Sequence, residues 1–263
     1  MISVVIPMYN AEDTILDSVD SVINQTYSER FEIIIVNDGS TDSSRTLIEK
    51  YMKDNKSNRI IKLINQENGG VSSARNRGIR ESTEDWIAFL DSDDIWLKEK
   101  IEKQMQVIER NKEVKFIGTN RNNEIYPFFN KSKESLFTLT AKEIMMKWYP
   151  HTSTALVKKE TLIKAGLYDE KRTHAEDGDL LVRLVLECDL YILNENLVYT
   201  GGDKRTFGEL GLSANLPKMY EGELYILKQS LNRKQINILE YISLYSWLSI
   251  KYIRRKIIIK FAK

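Results

Sequence analysis

Three observations predict an α/β fold, a mainly parallel central sheet flanked by helices, for this chain of 263 residues. Short apolar runs rich in β-branched residues alternate with helical patterns through the first third of the chain. The links between them are short, and three of the runs end in polar, loop-forming clusters. Alternation of this kind implies right-handed strand–helix–strand units with parallel neighbours.

Ile2 to Pro7 reads as a buried parallel strand, followed by a helix with Ile15, Val19, Val22 and Ile23 on one face. Phe31 to Val36 is a second strand, closed by Asn37-Asp38-Gly39-Ser40. A polar helix from about Asp42 to Lys53 leads to a third strand, Ile60 to Ile64, and Asn68-Gly69-Gly70 opens a helix reaching Glu81. Trp86 to Leu90 is the fourth strand, ahead of a helix with Leu97, Ile101, Met105 and Ile108 on one face. From Asn120 to Pro150 only Ala141 to Trp148 is clearly helical. Beyond it, Thr154 to Val157 and Tyr191 to Tyr199 read as strands, Lys159 to Ala165 and Gly178 to Glu187 as helices. Ligands of open α/β sheets bind beyond the carboxyl ends of the strands, so the polar clusters there are the place to look for chemistry.

Composition narrows the class. With 42% hydrophobic and 29% charged residues the chain reads as a soluble globular protein. A single cysteine, Cys188, excludes an internal disulfide framework and suits a reducing cytosol. A net charge of +1 argues against nucleic acid as partner. No apolar stretch is long enough for a membrane span, and Met1 to Asn10 lacks the pattern of a signal peptide. His151 and His174 lack the spacing of a zinc site and read as surface or supporting residues.

Asp91-Ser92-Asp93-Asp94 is the sharpest cluster: three carboxylates where a hydrophobic strand surfaces. Crowded carboxylates call for a cation, and oxygen ligands suit Mg2+ or Mn2+, which would also bind a diphosphate. The same residues equally describe a solvated turn with Asp93 or Asp94 as a helix cap. Asp38 is placed to accept from an imide N–H of uracil beside Gly39, or simply to sit in a strand-to-helix turn. Asn68 to Gly78, with Arg75, offers a helix start for phosphate or ribose oxygens, or only a loop. Asp177, in Glu176-Asp177-Gly178-Asp179, is either a helix-cap residue or a general base.

Read in order, these clusters resemble the family 2 glycosyltransferases of the GT-A fold. The matching stretches are Val4 to Asn10, Val36 to Asp42, Asn68-Gly69-Gly70 with Ala74-Arg75-Asn76, Asp91 to Asp94, and Glu176-Asp177, covering roughly residues 1 to 205. The resemblance implies a Rossmann-like sheet and an inverting, metal-dependent sugar transfer from a nucleotide-diphosphosugar, UDP-linked by the resemblance and Asp38. It puts Pro7, Tyr9, Glu12 and Asp38 on the nucleoside, and Asn68, Gly69, Arg75 and Asn76 near ribose and phosphate. Asp91 and Ser92 would face the donor, Asp93 would hold the metal with Asp91 as a weaker ligand, and Asp177 would be the base. Many GT-A enzymes place a histidine ligand after the last strand. Here Gly201 to Gly208 has none, leaving Asp203 as a replacement, or Lys204 and Arg205 as direct diphosphate contacts. The acceptor expected is a glycan or a lipid-linked sugar of a bacterial surface polysaccharide.

The chain divides into a catalytic domain over 1–210 and a helical, basic extension over 211–263. From Lys228 onward there are nine basic residues and one acid, so the tail is +8 and the remainder −7. Ile236 to Ile250 holds ten apolar residues in fifteen, short for a span but suited to an interfacial helix beside an anionic, cytoplasmic membrane face. The alternative is a helix packed on the catalytic domain or on a second subunit of a homodimer.

Other classes fit less well. A nicotinamide oxidoreductase needs G-x-G-x-x-G at the first turn, and Pro7 to Thr14 has no glycine. A P-loop phosphotransferase lacks its motif likewise. A catalytically inactive nucleotide-sugar-binding or scaffold protein on the same fold is the remaining alternative.

Overall fold

The computed structural model describes residues 1–55, 57, 59–124, 131, 133–147, 150–201 and 214–261. The first half is built as the alternation predicts. Strand β1 (Ile2–Met8) is followed by α1 (Ile15–Ile23), β2 (Phe31–Asp38), α2 (Ser44–Asp54), β3 (Ile60–Gln66), α3 (Val71–Glu81) and β4 (Trp86–Phe89). These four strands lie parallel in the order β3-β2-β1-β4, with Met8 opposite Asn37 and Val5 opposite Phe89. Strands β1, β2 and β4 are buried along their whole length, which explains their unbroken apolar runs.

The second half departs from a parallel pattern. It contains β5 (Ile95–Trp96), α4 (Lys100–Arg110), β6 (Phe116–Arg121), β7 (Leu136–Leu139), α5 (Ala141–Lys147), a 3-10 turn (Thr152–Thr154) and β8 (Leu156–Lys158). Helices α6 (Lys159–Lys164) and α7 (Glu176–Leu184) and strand β9 (Leu190–Tyr199) follow. The sheet continues β4-β8-β6-β9-β5, with β7 also on β9. Strand β8 is antiparallel to both β4 and β6, while β6 and β9 are parallel. The result is a mixed sheet with helices on both faces. Strands β5, β6 and β7 were not apparent in the sequence. β5 and β7 are very short, and Phe116–Arg121 turns polar after two apolar residues.

Two large apolar clusters cover the two faces of the sheet. One gathers Ile15, Val19, Val22, Ile101 and Met105 from α1 and α4. The other joins Phe89, Phe116, Ile144 and Leu180 to Ile226, Leu227, Leu244 and Leu248. Those last four come from α8 (Leu216–Asn232) and α9 (Ile238–Phe261), so the C-terminal helices share a core with the strands. The boundary expected at 210/211 lies outside the described residues. No helix among the described residues is long and apolar enough to cross a membrane.

Candidate functional site

The carboxyl ends of β1, β2 and β4 emerge on one edge, and their loops are bound to one another. Asn10 Oδ1 accepts from the Thr41 amide at 2.8 Å, and Ser40 Oγ accepts from the Asn10 amide at 3.1 Å. Glu12 Oε2 accepts from the Ser43 amide (2.8 Å) while the Glu12 amide donates to Asp42 (3.0 Å), two reciprocal caps that lock the first loop to the start of α2. Pro7 is buried at the end of β1, and Tyr9 is half exposed above it.

Asp38, the last residue of β2, is buried and accepts from the amides of Gly69 and Gly70 and from Gln66, each at 2.8 Å. It therefore holds the 68–70 loop, just ahead of α3, against the 37–40 loop. Gly39 is required there: its φ is +73°, and a Cβ on it would sit 2.9 Å from the Asn68 amide nitrogen. The structure thus brings Tyr9, Glu12, Asp38, Asn68 and Gly69 together at one edge. Asn76, expected near ribose and phosphate, has its side chain engaged elsewhere. It donates to the Tyr168 carbonyl (2.9 Å) and Glu170 (2.8 Å) and accepts from the Tyr168 amide (2.9 Å), so it anchors the segment before α7.

Arg75 is the hub of the site. Carried on α3 and buried, it donates to Asp91 at 2.7 Å and to Glu176 at 3.4 Å, with the Tyr168 ring 5.2 Å from its guanidinium carbon. Burial works against its charge, but Asp91 and the other acidic neighbours outweigh it and raise its pKa. Burial likewise opposes the charge on Asp91, yet the Arg75 cation beside it holds its pKa below the usual range. Glu176 goes the other way: burial, then Asp177, pushes it up to about 7.

Asp94, read from sequence as one of two candidate helix caps, lies at the centre of a second constellation. It is buried, accepts from the Gly201 amide at 3.0 Å, accepts from the Ser153 hydroxyl, and lies 3.6 Å from His151 Nδ1. Ser153 Oγ in turn accepts from the Asp91 amide at 3.0 Å. Burial, then the negative charge of Asp91, raises Asp94 to about 8. Burial and the nearby Arg121 cation lower His151 to about 3, so its imidazole is neutral, with Nδ1 accepting from the Ser153 amide at 3.4 Å, and neutral imidazole is the form that ligates metal. Ligand atoms of Asp91, Asp94 and His151 lie within 4.8 Å of one another.

Two crowded carboxylates, one of them with a strongly raised pKa, beside a neutral imidazole form a donor set that fits Mn2+ or Mg2+, because a cation would relieve the repulsion between the acids. Asp93 is exposed beside this group and Ser92 is partly buried. Asp203, Lys204 and Arg205 lie outside the described residues. Ser153 carries no sequence signal and His151 reads from sequence only as a surface or supporting residue, because both follow the least legible stretch and reach Asp94 through the 3-10 turn.

Asp177 stands at the first turn of α7, partly buried, and accepts from the Gly178 amide at 2.7 Å. It lines, with His151, Phe89 and Tyr168, a cavity of about 20 Å3, room for one water. The residue preceding the Glu176-Asp177 pair, Ala175, has φ +59°, a left-handed conformation that turns the chain sharply into α7.

The family model described as Glycosyl transferase family 2 matches residues 3–169. An uncharacterized glycosyltransferase of Haemophilus influenzae is 32% identical over 205 residues, 76% of this chain and 67% of that protein. The putative teichuronic acid biosynthesis glycosyltransferase TuaG of Bacillus subtilis is 40% identical over 119 residues, 45% of this chain and 46% of that protein. Curated relatives of this kind are spanned over 15 to 69% of their length. Among solved structures, S. aureus TarS 1-349 in complex with UDP-GlcNAc superposes with a TM-score of 0.71 at 21% identity, over 93% of this chain and 70% of that one. With the mixed sheet, the loop edge and a matched region longer than half its length, the chain belongs to the family 2 glycosyltransferases and has their GT-A fold.

Proposed function

We propose that the chain transfers a sugar from a nucleotide-diphosphosugar, UDP-linked, to a hydroxyl of a glycan or lipid-linked acceptor, with inversion, in bacterial surface polysaccharide synthesis. The observation that carries this reading is the Arg75 bridge, which holds Asp91 on the donor edge beside Glu176-Asp177 on α7. TarS, with UDP-GlcNAc bound, and TuaG, named for teichuronic acid, support the donor and acceptor classes.

In this reading the nucleoside lies over Pro7, Tyr9, Glu12 and Asp38, and the phosphates approach Asn68, Gly69 and the start of α3. Arg75 sets the position of Asp91, and Asn76 fixes the Tyr168 segment. Asp177 takes the proton from the acceptor hydroxyl. The freed oxygen forms a bond to the anomeric carbon as the bond to the diphosphate breaks on the opposite face, and the nucleotide diphosphate leaves with the electron pair. Asp91, Asp94 and His151, with Asp93 beside them and Asp203 as a further candidate, would hold Mn2+ or Mg2+, which when bound supplies positive charge to the diphosphate. A lipid-linked acceptor would place the enzyme on the cytoplasmic face of the membrane.

The test is a panel of nucleotide sugars incubated with Mn2+, following nucleotide diphosphate release. Saturation by one donor is expected, and Asp177→Asn should abolish transfer while UDP still binds. Transfer by Asp177→Asn at the parental rate would overturn the base assignment.

A further inference from the structure

Helix α9 is apolar on two sides, and among the described residues one of them is occupied and the other is exposed. Its inner side is bound to α8: Leu244 and Leu248 are buried, Tyr252 stacks on Tyr220 at 4.5 Å, and Ser249 shares a hydrogen bond of 2.7 Å with the Tyr220 hydroxyl. Glu223, buried on α8, pairs with Arg255 at 3.1 Å and faces Lys251 at 3.7 Å, fixing the rotation of α9 about its axis. With that rotation fixed, Leu239, Ile242, Ile250, Ile253, Ile257 and Phe261 are each more than half exposed. At helical spacing they form one outward stripe along 23 residues of a 24-residue helix, and Arg254, Lys256 and Lys260 stand exposed among and beside them. Trp247 is not part of the stripe, because its indole N–H donates to the Met146 carbonyl at 3.2 Å on α5.

From this we infer that the outward stripe of α9 is a docking surface for an anionic lipid bilayer, the helix lying in the plane of the headgroups. An exposed row of apolar side chains of this length, interrupted by the small polar Ser243 and Ser246 between Ile242 and Ile250, is what water-exposed helices avoid, and the residues flanking it are cationic. That combination matches an anionic bilayer, which offers acyl chains to the isoleucines and phosphates to the basic side chains. A second copy of the chain would instead bring like charges together across the contact. The surface is tied rigidly to the site, since Gly222, next to Glu223, lies where a Cβ would be 2.9 Å from the His174 carbonyl oxygen and 3.0 Å from the Ala175 Cβ. The purpose of such a surface rests on the lipid-linked acceptor proposed above, but binding to lipid does not depend on it.

The experiment is sedimentation of the full chain with vesicles of phosphatidylcholine alone or mixed with phosphatidylglycerol. Partitioning should be roughly tenfold or more stronger onto the anionic vesicles, and raised salt should weaken it. A triple variant, Ile242→Ser, Ile253→Ser and Ile257→Ser, should lose binding while its melting temperature and UDP binding stay unchanged. Arg254→Glu, Lys256→Glu and Lys260→Glu together should remove the preference for anionic lipid. Equal sedimentation of the isoleucine variant and the parent would overturn the inference. So would a dimer of the parent, seen by light scattering, that the isoleucine variant converts to monomer. Because vesicle binding requires no sugar transfer, failure here leaves the transferase reading standing, and the reverse also holds.

Discussion

Arg75 Nη2 donates to Asp91 Oδ1 at 2.7 Å, so the acid at the mouth of β4 is held by a guanidinium from α3 whose other arm reaches Glu176. Three elements far apart in the chain meet in this one side chain, and the fold of the site depends on its being a fork rather than a point charge.

Arg75→Met should therefore destabilise the protein by about 3 kcal/mol or more, because two acids lose their buried cation. Arg75→Lys should recover part of that loss and not all of it, since one ammonium cannot serve both carboxylates in the same geometry. Urea denaturation of the three proteins at pH 7.5 checks the ranking.

Glu176 makes stability fall as pH rises. Its folded pKa of about 7 stands above the ordinary 4.5, so the folded chain keeps a proton that the unfolded chain releases between those values. Thermal midpoints recorded across that window should decline with pH, and the decline should flatten in Glu176→Gln.

Glu32 acts in the opposite sense. Burial resists its charge, but Lys62 (2.5 Å), Ser3 (2.6 Å) and the Thr83 amide (2.7 Å) hold its pKa at about 2. Its contribution is present above pH 4.5 and is lost as pH falls through 2. Glu32→Gln should cost about 2 kcal/mol at neutral pH, given charged hydrogen bonds that tie β1, β2 and β3 together, and the cost should shrink in acid denaturation curves.

Gly222 sets the position of the turn that carries Glu176 and Asp177. Gly222→Val should force α8 away from Ala175 and lower kcat by roughly tenfold through displacement of Asp177, the proposed base, with little change in donor KM. Steady-state kinetics separates the two, and an unchanged kcat would count against this coupling.

Mn2+ added to chelator-treated protein should raise the thermal midpoint by about 5 °C at saturation, by linkage to the folded state. The increment should vanish in Asp94→Asn and persist in Glu32→Gln, as differential scanning calorimetry would show.

The local pattern determined a good deal. Buried parallel strands are continuous apolar runs, so β1, β2 and β4 could be read from Ile2, Phe31 and Trp86 onward, and the half-buried edge strand β3 from the shorter run at Ile60. The candidate acids, Asp38 and Asp91 on the edge where the strand loops gather and Asp177 on α7, stand out in the sequence because each follows or opens a clear element. Tertiary structure alone decided the rest. Asp94 meets Ser153 across 59 residues, and Arg75 meets Glu176 across 101, distances over which no periodicity carries information. The antiparallel turn of β8 between β4 and β6 left no mark in a three-residue strand. Helix α9 shows the limit most plainly. With apolar residues on both sides its sequence has little amphipathic direction, and contacts with other elements decide which side packs inward: the Glu223 pairing with Lys251 and Arg255, the Tyr220 contacts to Tyr252 and Ser249, and the burial of Leu244 and Leu248.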